Sequence, residues 1–108
     1  MKLLHLKMLM VSMLMLLGPA KVGAAPLLTS LQWIQVLHIH HCEEPTWNVN
    51  GPLYKGGLGW RPATWNAFRL PWMPITMNLA TPREQAIAMV RFAKVYGWPD
   101  QNGTCYGY

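Results

Sequence analysis

Hydrophobic positions recur at helical spacing in three stretches of the chain, and the clearest of these carries its own boundary signals. Thr81 is a favoured N-cap residue, Pro82 occupies the first helical position and Glu84 completes a capping box three residues after the cap. Gly97 followed by Pro99 ends this helix. Its predicted buried face consists of Ala86, Ile87, Met89, Val90, Ala93 and Tyr96.

Two further helices are predicted earlier in the chain. Thr29 or Ser30 can cap a first helix that runs to about Cys42. A short second helix is predicted from Pro62, a favoured first-turn residue, to Phe68. Apolar residues cover much of the first helix, which we therefore expect to be well buried: Leu31, Trp33, Ile34, Val36, Leu37 and Ile39.

The periodicity is lost in residues 43–59, where glycine and proline are frequent. These helix breakers predict a long loop or a short hairpin: Pro45, Gly51, Pro52, Gly56, Gly57 and Gly59. A chain of 108 residues is long enough for one small domain. The pattern predicts that this domain is mostly helical, with one glycine-rich loop.

Residues 1–24 have the composition of a secretory signal peptide. Two lysines precede an apolar run over residues 8–17, and residues 22–24 form a small-residue cleavage site. A membrane anchor is the alternative, but the run is about half of the ~20 residues that a span needs. We therefore expect a mature domain over residues 25–108 in a secreted or cell-wall-associated protein, which meets a membrane only during export.

The net charge is much smaller once the predicted signal peptide is left out. The whole chain has a formal charge of +5, but three of its nine bases lie before residue 25, which leaves six bases and four acids. No Lys/Arg cluster remains, which argues against nucleic-acid binding. A mildly basic surface suits an anionic polymer.

Cys42 and Cys105 are the only cysteines, and export implies oxidising surroundings, so they predict a single disulfide. His38 and His41 share a helix face near Cys42, which could suggest zinc. No second ligand pair lies downstream, so we expect no metal and no cofactor. A modest alternative is that one histidine tunes the protonation of the neighbouring Glu43.

Seven short motifs follow one another along the chain: Cys42-Glu43, Trp47-Asn48-Val49-Asn50, residues 54–60, Thr64-Trp65, residues 80–87, residues 96–99 and Cys105. Their order and spacing resemble the transglycosylase-like domain of actinobacterial resuscitation-promoting factors. The likeness covers roughly residues 31–105.

This resemblance implies a reduced lysozyme-like (α+β) fold and cleavage of the β-1,4 bond between N-acetylmuramic acid and N-acetylglucosamine in peptidoglycan. It implies that Glu43 is the catalytic acid, that Thr64 lines the substrate groove, and that the two cysteines are paired. We expect the other groove residues to come from the same motifs: Trp47, Tyr54, Gly56, Gly57, Trp60 and Trp65.

Two departures from the family pattern favour an alternative function. The link Glu44-Pro45-Thr46 is one residue shorter than usual, and Gly59-Trp60 replaces a Gln-Phe pair. A hydrogen bond from that glutamine to the groove is therefore absent. The alternative is a peptidoglycan-binding module of the same fold with little or no turnover.

A glycosidic acid must stay protonated near neutral pH, which burial against aromatic rings favours. By itself, Glu43 would more often be an exposed glutamate at a helix end, and the resemblance reverses that preference. Of the other carboxylates, Glu84 is a capping residue, Asp100 lies beyond the last helix and Glu44 is adjacent in sequence. None is a convincing nucleophile, so we expect a single-acid mechanism of the lytic transglycosylase type, with simple hydrolysis second.

Several aromatic and glycine positions have two equally good interpretations. Trp60, Trp65 and Trp72 could present rings to sugars or lie in the core. Gly56 and Gly57 could admit the glycan or form a tight turn. We expect a monomer. We also expect its groove and its net charge to hold it on the wall, because the chain ends three residues after its last cysteine.

Overall fold

The computed structural model of the protein describes residues 27–101 and Cys105. Helix α1 spans Ser30–Glu43, α2 spans Pro62–Phe68 and α3 spans Pro82–Tyr96, with a short 3-10 helix at Met77–Leu79. The described part of the chain is thus mostly helical, as predicted. The proposed signal peptide, residues 1–24, lies outside the described residues.

Both long helices begin at capping boxes. The Thr81 hydroxyl accepts a hydrogen bond from the Glu84 N–H (3.1 Å), and the Glu84 carboxylate accepts one from the Thr81 N–H (2.8 Å). Thr29 and Gln32 make the same reciprocal pair at the start of α1. These bonds satisfy backbone N–H groups that a helix start leaves open, so the two starts are fixed locally.

Helix α3 is the centre of the domain, and both α1 and α2 pack against it. Residues 85–90 are buried without interruption, so this part of α3 is covered on all sides. Phe92 adds to the buried side of α3, and around the helix lie the other buried apolar side chains, which are Val36, Ile39, Leu58, Trp60, Trp65, Met73, Met77 and Ala80.

The expectation that α1 is well buried is wrong for much of its surface. Val36 and Ile39 are fully buried, whereas Leu31 is 79% exposed and Ile34 and Leu37 are also exposed. The cause is geometric, because α1 packs on α3 along one side only and the other apolar positions face outward.

The glycine-rich loop between α1 and α2 contains a tight turn. Lys55 and Trp60 exchange two backbone hydrogen bonds, of 2.9 and 2.8 Å, and so close the segment between them. Gly56 and Gly59, inside that segment, have φ of 75° and 67°, which side chains with a Cβ rarely adopt. Lys55 also forms an isolated bridge with Asn50, so the predicted loop or short hairpin is a loop with two single bridges.

The predicted disulfide is present. Cys42, in the last turn of α1, is bonded to Cys105, 63 positions later in the sequence. This bond carries the segment that follows α3 back to the end of α1. None of the helices in residues 27–101 is both long and apolar enough to cross a membrane.

Candidate active site

Glu43 is the last residue of α1 and lies half-buried beside the disulfide. Its surroundings raise its pKa from 4.5 to about 7. Burial is the largest cause, because it disfavours the charged form. The negative charges of Asp100 and Glu44 act in the same direction. Glu43 is therefore a carboxyl group that can keep its proton near neutral pH.

Asp100 is the neighbour that the sequence did not lead us to expect beside Glu43. It comes three residues after Gly97, has φ of 58° and is only 2% exposed, with both carboxylate oxygens closed to solvent. The sequence did hold one signal for this contact. Glu43 follows Cys42 directly and Asp100 precedes Cys105 by five positions, so the disulfide brings the two acids into one neighbourhood.

Gly59, in the glycine-rich loop, lies next to Glu43 at the end of α1. A Cβ atom placed on Gly59 would lie 3.0 Å from Oε1 of Glu43 and 3.3 Å from its Cβ. The loop backbone therefore touches the acid directly. A larger side chain at this position would need both a different backbone conformation and a shift of Glu43.

Trp47 packs on the loop rather than standing free beside it. Its indole stacks on the His40 ring with centroids 4.2 Å apart and planes 17° from parallel. A Cβ on Gly57 would meet the Trp47 ring at 2.5 Å. Nδ1 of His40 donates a hydrogen bond to the Gly57 carbonyl oxygen at 2.7 Å. The close approach that Gly57 permits is thus made by Trp47, a residue of the same chain.

Gln85 anchors the loop to α3 and had no predicted role beyond its place in a family motif. It is fully buried, and its Oε1 accepts a hydrogen bond from the Gly57 N–H at 2.8 Å. Its Nε2 donates to the carbonyl oxygens of Trp47 (2.9 Å) and Ala80 (3.1 Å). A Cβ on Gly56 would meet Gln85 Oε1 at 2.6 Å, so Gly56 is required by this contact.

The three tryptophans that could lie in the core or face sugars differ in exposure. Trp60 and Trp65 are 0% exposed, pack edge to face with centroids 5.5 Å apart, and belong to the core. The indole N–H of Trp65 donates to the Pro74 carbonyl at 2.9 Å. Their rings offer no surface to a glycan here, so the core interpretation holds for both. Trp72 is 57% exposed.

The remaining predicted groove residues are accessible. Tyr54 is partly exposed, and its hydroxyl accepts a hydrogen bond from Arg61 at 3.2 Å. The Arg61 guanidinium also lies 5.5 Å from the centre of the Tyr54 ring. Thr64 is half-buried in the first turn of α2, close in sequence to the loop that carries Gly59.

The histidines around Cys42 do not assemble a metal site. No group of three or more His, Cys, Asp or Glu side chains that could hold a metal ion occurs in residues 27–101 or at Cys105. The charged groups that shift the Glu43 pKa are Asp100 and Glu44. The idea that a histidine tunes the protonation of Glu43 is therefore not supported. His40 serves the loop instead, through Gly57 and Trp47.

No protein-family model, curated protein or solved structure matches this chain. The chemistry of the site rests on its own groups. A carboxyl group that is protonated near neutral pH can donate a proton to a leaving oxygen, and once ionised it can accept one.

Proposed function

We propose that this protein is an exported enzyme that cleaves peptidoglycan glycan strands at the β-1,4 bond between N-acetylmuramic acid and N-acetylglucosamine. Glu43 acts as the proton donor. The observation that carries the proposal is its raised pKa of about 7 at a half-buried position. We assign the domain to the reduced lysozyme-like fold on the same motifs, with their helices and their disulfide.

The proposed reaction uses one carboxyl group twice. Glu43 first protonates the glycosidic oxygen, which leaves as a hydroxyl of N-acetylglucosamine while positive charge builds on the muramic acid ring. The 6-hydroxyl of that muramic acid then attacks the ring carbon and gives its proton to the Glu43 carboxylate. The product is a 1,6-anhydro sugar, and Glu43 returns to its starting state. A bound water that attacks instead gives the hydrolytic variant.

The other three carboxylates support a single-acid route. Glu84 is engaged in the capping box of α3, and Glu44 is the C-cap of α1. The negative charge of Asp100 is close enough to Glu43 to help raise the Glu43 pKa. Two-carboxylate glycosidases hold their pair about 5 to 9.5 Å apart, with the sugar or water in between. Both oxygens of Asp100 are closed to solvent, so this carboxylate is not placed to attack a bound sugar.

A second candidate is a peptidoglycan-binding module with little turnover. Two observations favour it: Gly59 packs against the acid where the family carries glutamine, and the Trp60 and Trp65 rings are buried. Both reduce the contacts that could hold a sugar next to Glu43. In this case the protein would bind peptidoglycan and release nothing from it.

The deciding experiment compares the mature protein with Glu43→Gln and Glu44→Gln on purified peptidoglycan. Soluble muropeptides are measured by mass spectrometry, and sedimentation with the polymer measures binding. We expect release by the wild type and by Glu44→Gln, the matched control that removes a neighbouring carboxylate, and loss of release in Glu43→Gln. Equal release by both variants would refute the role of Glu43, and binding without release identifies the binding module. Anhydro ends distinguish the transglycosylase route from hydrolysis, which leaves reducing ends.

A further inference from the structure

The glycine-rich loop carries an exposed tyrosine–arginine pair beside its tight turn. Lys55 and Trp60 exchange two backbone hydrogen bonds, so the next residues outward, Tyr54 and Arg61, lie across from each other. Successive side chains of an extended segment point to opposite faces. The Trp60 side chain is fully buried, whereas Tyr54 and Arg61 are exposed, so this pair lies on the outer face of the loop.

Two contacts hold the Arg61 side chain in place before any ligand binds. Its Nη2 donates a hydrogen bond to the Tyr54 hydroxyl at 3.2 Å, and its guanidinium carbon lies 5.5 Å from the centre of the Tyr54 ring. The backbone of Arg61 is fixed as well, since it is the N-cap of α2, directly before Pro62. An arginine that is already ordered loses less conformational entropy when it binds a partner.

Arg61 has unused binding capacity. Its guanidinium has five N–H donors, and Tyr54 accepts a hydrogen bond from one of its nitrogens. Within residues 27–101 and Cys105, Arg61 forms no ion pair with a carboxylate. The other cation of the loop, Lys55, is half-buried, and its ammonium donates to the Asn50 side chain at 2.8 Å. Arg61 is therefore the loop cation that is open to an anion from outside, and its planar fork matches a carboxylate.

Arg61 lies two residues after Gly59, the loop residue next to the proposed acid. A Cβ atom on Gly59 would lie 3.0 Å from Oε1 of Glu43. Consecutive Cα atoms are about 3.8 Å apart, so the Cα atom of Arg61 is no more than about 7.6 Å from that of Gly59. A glycan bound at the Glu43 carboxyl therefore has its neighbouring substituents within reach of the Arg61 side chain.

We propose that Arg61, held by Tyr54, binds a carboxylate of the glycan strand and makes the site selective for strands that contain N-acetylmuramic acid. The two sugars at the proposed bond share the pyranose ring and the acetamido group. Only N-acetylmuramic acid also carries a lactyl group, which ends in a carboxylate or in a peptide with carboxylates of its own. A cation beside the acid distinguishes the two sugars by this charge, and thereby distinguishes peptidoglycan from chitin, which contains no carboxylate. This inference rests on the proposed function for its substrate, whereas Arg61 takes no part in proton transfer.

The test measures binding in the Glu43→Gln background, so that it does not depend on cleavage. The probes are a tetrasaccharide of alternating N-acetylglucosamine and N-acetylmuramic acid, the same strand with its peptides, the lactyl methyl ester of the bare strand, and chitotetraose. Calorimetry measures the affinity for each. We expect a muramic acid probe with intact carboxylates to bind roughly tenfold more tightly than the ester and chitotetraose, which cannot form the charge-assisted hydrogen bonds. Arg61→Gln should remove this difference and leave the affinity for chitotetraose unchanged.

The bare and the peptide-bearing strands identify which carboxylate Arg61 binds. Preference for the bare strand assigns the lactyl carboxylate, and preference for the peptide-bearing strand alone assigns a carboxylate of the peptide. Equal affinity of all four probes for the protein with Arg61 intact would overturn the proposal, and so would the absence of binding by both muramic acid strands. An equal loss of affinity for chitotetraose in Arg61→Gln would also overturn it, because the substitution would then have damaged the site as a whole.

Two further variants separate the arginine from the net charge. Arg61→Lys keeps the charge but loses the planar fork, so we expect an intermediate preference. Lys94→Gln is the matched control, since it removes the same unit charge from an exposed position near the end of α3 and should keep the preference. The same loss in Lys94→Gln as in Arg61→Gln would mean that net charge alone attracts the polymer, against the proposal.

The carboxylate site and the proposed function fail separately. Preference for the carboxylate probes without any release of muropeptides by the wild type keeps the role of Arg61 and removes the enzyme. Release of muropeptides together with equal binding of all probes keeps the enzyme and removes the role of Arg61.

Discussion

Gly59 lies close to Glu43, so that a side chain at this position would press on the Glu43 carboxyl. A Cβ atom on Gly59 would come within 3.0 Å of the Glu43 carboxyl oxygen. The backbone there has φ of 67°, so two independent requirements select glycine: conformation and contact. Gly59 is thus a contact of the proposed catalytic acid.

Gly59→Ala is expected to destabilise the protein and to disturb Glu43. The positive φ costs roughly 1–2 kcal/mol for a residue with a Cβ, and the contact adds to it. The matched control is Gly97→Ala, because Gly97 also has positive φ but has nothing within 4 Å of its Cβ position. Denaturant unfolding measures both.

We expect both variants to lose stability and only Gly59→Ala to change the titration midpoint of Glu43. The same midpoint in the two variants would show that the contact does not shape the acid.

The stability of the protein should fall as the pH rises towards neutrality. Glu43 titrates at about 7 in the folded chain against an ordinary value of 4.5, so the folded state holds this proton more tightly. Its stabilising contribution is complete below about pH 4.5 and is lost as the pH rises through about 7. We expect the unfolding midpoint of the wild type to decline across this window.

Glu43→Gln removes that proton site and should flatten the decline. The difference between the two proteins isolates Glu43 from every other titrating group. Thermal unfolding at a series of pH values provides the measurement, with Glu44→Gln as the control that should change the slope much less. Parallel curves for the wild type and Glu43→Gln would contradict the raised pKa.

Gln85→Met should destabilise the protein and release the glycine-rich loop. The substitution keeps a similar volume but removes the hydrogen bonds to the Gly57 N–H and the Trp47 carbonyl. Leaving buried backbone groups unsatisfied costs about 1–3 kcal/mol for each group. Gln35→Met, at a half-buried position on α1, is the control and should change the free energy of unfolding little.

Amide hydrogen exchange gives the sharper measurement for Gln85. The Gly57 amide should lose its protection in Gln85→Met while amides in the middle of α1 keep theirs. Retained protection at Gly57 would mean that another group has replaced the glutamine.

Reduction of the Cys42–Cys105 disulfide should lower the free energy of unfolding by about 4 kcal/mol, because the bond closes a long loop in the unfolded chain. Thermal melts with and without reductant test this. The double variant Cys42→Ser/Cys105→Ser should match the reduced protein and should not respond to reductant. An unchanged melting temperature on reduction would contradict the stabilising role.

Local signals predicted the elements of the fold well. Thr81 and Glu84 fix the start of α3 by bonds within four residues, and Gly97 ends it. Pro62 marks the start of α2 in the same way. Such boundaries depend on neighbours in the chain, so a sequence is sufficient to find them.

Burial and long-range contacts could not be predicted in the same way. Leu31 and Trp60 are both apolar, yet one is exposed on α1 and the other is fully buried, since only packing decides which face is covered. Asp100 follows a helix end and has no local pattern that points to Glu43. Gln85 looks like one more residue of an amphipathic helix until its bonds to the loop are known.

The Cys42–Cys105 bond also makes the end of α1 sensitive to the oxidation state of the two cysteines. It forms in oxidising surroundings, and it joins the two segments that carry Glu43 and Asp100. A chain with reduced cysteines lacks the covalent tie between Cys105 and the last turn of α1. We therefore expect the surroundings of Glu43 to differ between the reduced and the oxidised chain, because Cys42 directly precedes Glu43.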